Sequence, residues 1–168
     1  MNASPLNLQE FLPYKLSRLV NDMSAGLMRD YSHRFGLNVS QWRMLAASAQ
    51  LQPTSVTELT EYSGMDKVTV SRSVRELVDR NLLSRELDEL DRRRATITLT
   101  PEGQRVYEEI APGAVAFEEA LLSVLKPAER KAFSSVMDRL LDQAAVLRQT
   151  TSRRFPRGSG PRSRQSKA

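Results

Sequence analysis

The residues able to do chemistry are unevenly distributed in this chain. It has no cysteine and a single histidine, His33. Disulfides, thiolate ligands and cysteine nucleophiles are therefore excluded, and a zinc site would need more His than this. No Gly-rich phosphate loop is present, and the one histidine has no evident nucleophile to activate. The carboxylates are scattered along amphipathic stretches as solvated faces, so no catalytic residue, metal ligand or cofactor is expected. Two cationic groups remain. One is Lys67-Val68-Thr69-Val70-Ser71-Arg72 with Arg75 just beyond; the other is Asp91-Arg92-Arg93-Arg94. Methyl groups flanking cations suit a surface that meets thymine methyls and guanine edges in a DNA major groove. Adjacent arginines at a turn suit the negative potential of a narrow, A·T-rich minor groove.

Each group also has a plainer explanation. Projected at about 100° per residue, Asp66 to Asn81 gathers Val70, Val74, Leu77, Val78 and Asn81 into one stripe to be buried. Val68, Thr69, Arg72, Glu76 and, at the edge, Arg75 lie opposite. This could be a solvated charged face with one stray valine, but solvation alone explains Val68 poorly. Lys67 and the helix N-terminus would meet phosphate, positioning the helix without reading sequence. Asp91, with Asp88 and Glu89, could simply neutralise the arginines in a surface turn, at about 0–1 kcal/mol per pair. Position after the preceding helices favours a DNA role for the loop.

Those preceding elements are legible in order. Apolar residues recur at helical spacing from Leu12 through Leu16, Leu19, Val20, Met23, Leu27 and Tyr31, after an Asn7/Glu10 pair that resembles a capping box. Gly36 ends this helix. Ser40 is expected to cap a second helix through Trp42, Met44, Leu45 and Ala49, stopped by Pro53. Ser55 opens a short third helix with Glu58 as its box partner, Gly64 turns the chain, and Asp66 caps the fourth, which Asn81 closes. Two helices joined by a tight glycine turn form a helix-turn-helix.

Leu83–Leu87 and Ala95–Leu99 then alternate as strands around the charged loop, making a wing. Thr100-Pro101-Glu102 starts a fifth helix running through Val106, Ile110, Phe117, Leu121 and Leu125, with a kink expected at Pro112-Gly113. Pro127 starts a sixth, carrying Phe133, Val136, Met137, Leu140, Leu141 and Leu147 on one side.

The predicted class is mainly α with a small β-wing. It comprises a dimerisation helix over 1–36, a winged helix-turn-helix DNA-binding domain over 37–100, dimerisation helices over 101–149, and a basic disordered tail over 150–168. The net charge is +5, yet Arg148 and the six basic residues after it supply seven positive charges with no acid among them, which leaves −2 for the rest. DNA binding must therefore rest on local charge and not on the overall balance. Met1 to Gln9 lacks a basic segment followed by an apolar core, and no run of about 18 apolar residues occurs. With no cysteine, a cytoplasmic setting is expected and no membrane partner.

In combination these motifs resemble the MarR (multiple antibiotic resistance regulator) transcription factors. The resemblance runs from about Phe11 to Leu147. It rests on Met65-Asp-Lys-Val-Thr-Val-Ser-Arg72, Asp91-Arg-Arg-Arg94 and Leu99-Thr-Pro-Glu-Gly103, supported by Phe11-Leu-Pro-Tyr-Lys-Leu16 and Gln41-Trp-Arg-Met-Leu45. It implies a homodimer over a palindromic site, with Asp91 orienting Arg93 in the minor groove and Arg92 and Arg94 able to share that task. The DNA-contact set is then Ser55, Lys67, Val68, Thr69, Ser71, Arg72, Arg75 and Asp91 to Arg94. It further implies a small aromatic or phenolic effector between the dimerisation helices and the winged domain, with Arg18, Tyr31, His33, Trp42 and Arg43 as the residues nearest that place. The expected function is a sequence-specific regulator, a repressor released by such a ligand. A constitutive or architectural DNA binder without effector is the alternative. A protein-interaction module is disfavoured by the arginine loop, because interface cores are depleted in charge.

Overall fold

Capping side chains and left-handed residues decide where the helices of this chain begin and end. A computed structural model describes residues 6–87 and 95–151. In chain order it contains α1 (Leu12–Phe35), α2 (Val39–Leu51), α3 (Val56–Ser63), α4 (Lys67–Asp79), β1 (Leu83–Leu87), β2 (Ala95–Leu99), α5 (Pro101–Leu122) and α6 (Pro127–Thr151). Gly36 and Gly64 take left-handed conformations with φ of 60° and 64°, and their N–H groups return to Ser32 and Thr60. Asn81, at φ 56°, makes the same kind of turn after α4.

Four expectations are corrected here. The N-cap of α1 is Phe11, with no side-chain bond, and Pro13 lies in the first turn. Asn7 instead accepts from the Gln9 N–H in a separate turn ahead of the helix. The second helix is capped by Asn38 and not by Ser40: Asn38 Oδ1 accepts from Gln41 N–H, while Gln41 Oε1 accepts from Asn38 N–H, both at 2.9 Å. Ser40 donates to the same Asn38 oxygen at 2.7 Å. Asn wins because it stands three residues before a side chain able to return the bond. Finally, Asn81 is exposed, and Ser73 occupies the dry stripe of α4 with Val70, Val74 and Leu77. The left-handed turn at Asn81 ends the helical register, so angles projected through it do not apply. Leu125 likewise lies in the connection after α5, whereas Pro112 sits inside that continuous helix.

Residues up to Glu119 form one compact unit. Its core joins Tyr31 of α1, Met44 and Leu45 of α2, Leu59 of α3, Val70, Val74 and Leu77 of α4, Leu83 and Ile97 of the wing strands, and Val106 and Ile110 of α5. The strands pair antiparallel from Leu83↔Leu99 to Leu87↔Ala95. Thr54, between α2 and α3, adds a short antiparallel bridge, exchanging backbone bonds of 3.0 and 2.7 Å with Ile97. That bridge ties the base of the wing to the helix-turn-helix. Gly103 lets α5 approach the end of α4, since a Cβ there would lie 1.9 Å from the Leu82 carbonyl oxygen. Arg80, the C-cap of α4, donates to the Phe35 and Gly36 carbonyls at the end of α1.

The second unit begins at Ala120. Lys126 N–H donates to Glu129 Oε2 at 2.7 Å and Arg130 Nε to the Leu122 carbonyl at 3.0 Å, which fixes the turn into α6. Helix α6 continues to Thr151, so Thr150 and Thr151 are helical where a tail over 150–168 was expected, and the rest of that tail lies outside the described residues. Among the described residues no helix is long and apolar enough to cross a membrane.

Candidate nucleic-acid interface

Asp66 sets the start of α4 and the pose of its first turn. One of its oxygens accepts from Thr69 N–H at 2.9 Å and the other from the Thr69 hydroxyl at 2.6 Å. These Thr69 bonds hold the Asp66 carboxyl below its ordinary value. The Thr69 hydroxyl is thus committed to the cap, and the residue is half-buried. Its neighbours point outward: Lys67, Val68, Ser71, Arg72 and Arg75 line one open groove along the helix. Val68 is 78% exposed, while Val70 and Leu77 on the opposite face are fully buried. A helix held by its dry face thus presents methyls and cations together.

Arg72 has a neighbour one turn on: its Nε lies 3.9 Å from Glu76 Oε1. The other Glu76 oxygen accepts from Gln41 Nε2 at 2.9 Å. Ser55 stands apart from this group as the cap of α3, its hydroxyl accepting from Glu58 N–H at 3.2 Å. Asp91, Arg92, Arg93 and Arg94 lie outside the described residues. The paired strands that carry them close at Leu87 and Ala95.

A cavity of about 350 Å³ opens between α1, α2 and α5, lined among others by Leu27, Tyr31, Trp42, Arg43, Phe117 and Glu118. The Trp42 ring is 5.7 Å from Tyr31, tilted, and 6.1 Å from Tyr107, stacked. Burial pushes the Tyr31 phenol above its ordinary value, with the Arg43 charge pulling the other way. Of the residues anticipated for a ligand, Tyr31, Trp42 and Arg43 meet here. Arg18 and His33 are exposed on α1 and do not line the cavity. Sequence reasoning missed Phe117 and Glu118 as lining residues. It also missed the Gln41–Glu76 bond, for which the only local signal was the Asn38-x-x-Gln41 box.

An HTH-type transcriptional regulator of Bacillus subtilis, YwoH, is 32% identical over 109 residues, covering 65% of this chain and 79% of the relative. Residues 35–94 match the MarR family profile. The chain belongs to the MarR family. Its winged helix-turn-helix is that of a DNA-binding transcriptional regulator. Bordetella bronchiseptica BpsR, whose DNA binding is regulated by 6-hydroxynicotinic acid, superposes with a TM-score of 0.73 at 27% identity, covering 83% of this chain and 99% of BpsR. A MarR/EmrR family regulator from Acinetobacter has the same fold, with a TM-score of 0.76 at 24% identity over 83% of this chain and 99% of its own.

Proposed function

We propose that this MarR-family protein is a homodimeric cytoplasmic repressor. It holds a palindromic operator with two copies of α4 and two wings and releases it when a small aromatic acid binds. The observation that carries this reading is the outward face of α4, where Val68, Arg72 and Arg75 stand exposed on a helix anchored by its opposite side. Arg72 and Arg75 supply base-edge contacts, Lys67 and the helix N-terminus meet phosphate, and Val68 packs on thymine methyls. Asp91 and Arg93 serve the minor groove at the wing tip.

The division into an N-terminal dimerisation helix, a winged domain and C-terminal dimerisation helices belongs to the same proposal. Phe133, Leu140 and Leu147 support it: they recur every seven residues on α6 and are all exposed in the single chain. In a dimer of this motif, half-sites lie about one helical turn, or 10 base pairs, apart.

For the effector, the support is the α1–α2–α5 cavity. Its volume falls within the range of small-molecule sites, and it combines the Tyr31 and Trp42 rings with the Arg43 cation. That chemistry suits a planar aromatic carboxylate, and BpsR responds to such an acid. The test is selection from a random duplex-DNA library at physiological salt, followed by titration of the enriched site with 6-hydroxynicotinic acid and salicylate. A palindrome released by either acid is the expected result. A palindrome that neither acid releases favours the constitutive regulator, and steep salt-dependent binding with no motif favours the architectural one.

A further inference from the structure

We infer that Glu76 is a positioning residue for sequence reading. Clamped from behind by Gln41 of α2, it holds Arg72 so that the guanidinium reaches a guanine edge in a fixed pose. The inference rests on the proposed reading of Arg72 as a base contact.

The chain of anchors starts in the folded core. Gln41 is 7% exposed, and its carbonyl oxygen is committed to Asn38 N–H at 2.9 Å. That bond leaves only the amide NH2 to face α4, where it donates to Glu76 Oε2 at 2.9 Å. A free glutamate would lose rotamer freedom when it gripped an arginine. Here the loss is already met on folding, because the buried amide orders one carboxylate oxygen. The second oxygen faces Arg72 Nε at 3.9 Å. With Nε turned toward Glu76, the two terminal nitrogens remain for a bidentate contact with guanine O6 and N7.

The same carboxylate opposes indiscriminate binding. A negative charge on the groove-facing helix repels phosphate, and an Arg72 held by Glu76 is less available to an arbitrary backbone oxygen. Removing that charge therefore has two opposite effects. Binding to nonspecific DNA strengthens, and discrimination at the base read by Arg72 falls. General destabilisation of the domain would weaken both.

The experiment compares the full-length wild-type chain with Arg72→Ala, Glu76→Gln, their double variant, and the exchange Gln41→Glu with Glu76→Gln. Each is read by library selection and by Kd for the selected site and for a scrambled duplex, alongside thermal melting. Glu76→Gln should lower the specific-to-nonspecific ratio roughly threefold to tenfold, between a surface ion pair and a full bidentate contact. It should also raise scrambled-duplex affinity. In the double variant it should add no further loss of base preference to Arg72→Ala, while scrambled-duplex affinity still rises. In Glu76→Gln the amide oxygen can still accept from Gln41, whereas the exchange reverses the donor between positions 41 and 76 and keeps an acceptor for Asn38 N–H. Both should melt close to wild type while base preference stays relaxed, because no carboxylate faces Arg72.

Unchanged preference in Glu76→Gln, an additive loss in the double variant, or full recovery of preference in the exchange would each overturn the inference. If Arg72→Ala itself leaves the motif intact, the recognition-face reading falls and takes the inference with it. If Arg72→Ala relaxes the motif and Glu76→Gln does not, the inference falls alone.

Discussion

The winged core and the apolar surfaces of α1 and α6 solve the same problem in different ways. In the winged core, α2, α3, α4 and the two strands bury their apolar residues against one another, and Met44, Leu45, Leu59, Val70, Leu77 and Ile97 are all inaccessible. Along the N-terminal half of α1, by contrast, Leu12, Leu19 and Val20 remain exposed, as do Phe133, Leu140, Leu141 and Leu147 on α6. Monomeric surfaces rarely leave contiguous apolar stripes uncovered. The contrast teaches that one chain suffices to bury the winged core, whereas the flanking helices keep apolar stripes that this chain alone does not cover.

The contrast can be broken most severely at Gly103. Gly103→Val places a side chain against the Leu82 carbonyl, and it should cost about 3 kcal/mol or more. The melting temperature should drop by roughly 6–12 °C, visible by calorimetry. A variant that melts like wild type would mean that α5 is not packed on the end of α4 as described.

A substitution on the other side should do the reverse. Leu140→Glu puts a charge in the α6 stripe, and it should shift the protein from dimer to monomer in sedimentation while circular dichroism of the winged core is retained. Operator affinity should fall about a hundredfold through lost avidity. Loss of the fold together with the dimer would erase the proposed distinction between the two regions.

Gly26→Ala acts where α1 meets the core. Its new methyl would lie 2.8 Å from the Phe117 ring edge, so the ring must shift into or along the cavity. Helix propensity gains up to about 1 kcal/mol from this change, so melting should hold or rise slightly. Affinity for an aromatic acid should change severalfold, measurable by calorimetric titration. Equal ligand affinity in both proteins would place the ligand elsewhere.

The smallest effect concerns Asp66. Its carboxyl titrates below the ordinary value when folded, so its stabilising contribution is fully present above the unfolded value. That contribution is lost as pH falls through the folded one. Asp66→Asn should therefore lower the melting temperature slightly at neutral pH and flatten a shallow acid limb of the melting curve below about pH 4. An unaltered acid limb would remove Asp66 from the proton linkage.

Much of this protein was determined by sequence alone, because its signals are local. Ser55 before Glu58, Asp66 before Lys67, Gly36, Gly64 and the alternation on either side of the charged loop each act within a few residues. They produced the helix-turn-helix and the wing strands where expected. The outward set of α4 was legible for the same reason, since helical periodicity separates Val68, Arg72 and Arg75 from Val70, Val74 and Leu77.

What local rules could not decide was competition between neighbours and contact at a distance. Asn38 and Ser40 could each have capped α2, and the return bond from Gln41 chose Asn38. The meeting of Gln41 with Glu76, 35 residues apart, the Thr54–Ile97 bridge at the wing base, and the joining of Tyr31, Arg43 and Phe117 around one cavity exist only once the helices cross. Spacing along the chain determines which face a residue occupies. Only packing decides which other face it meets.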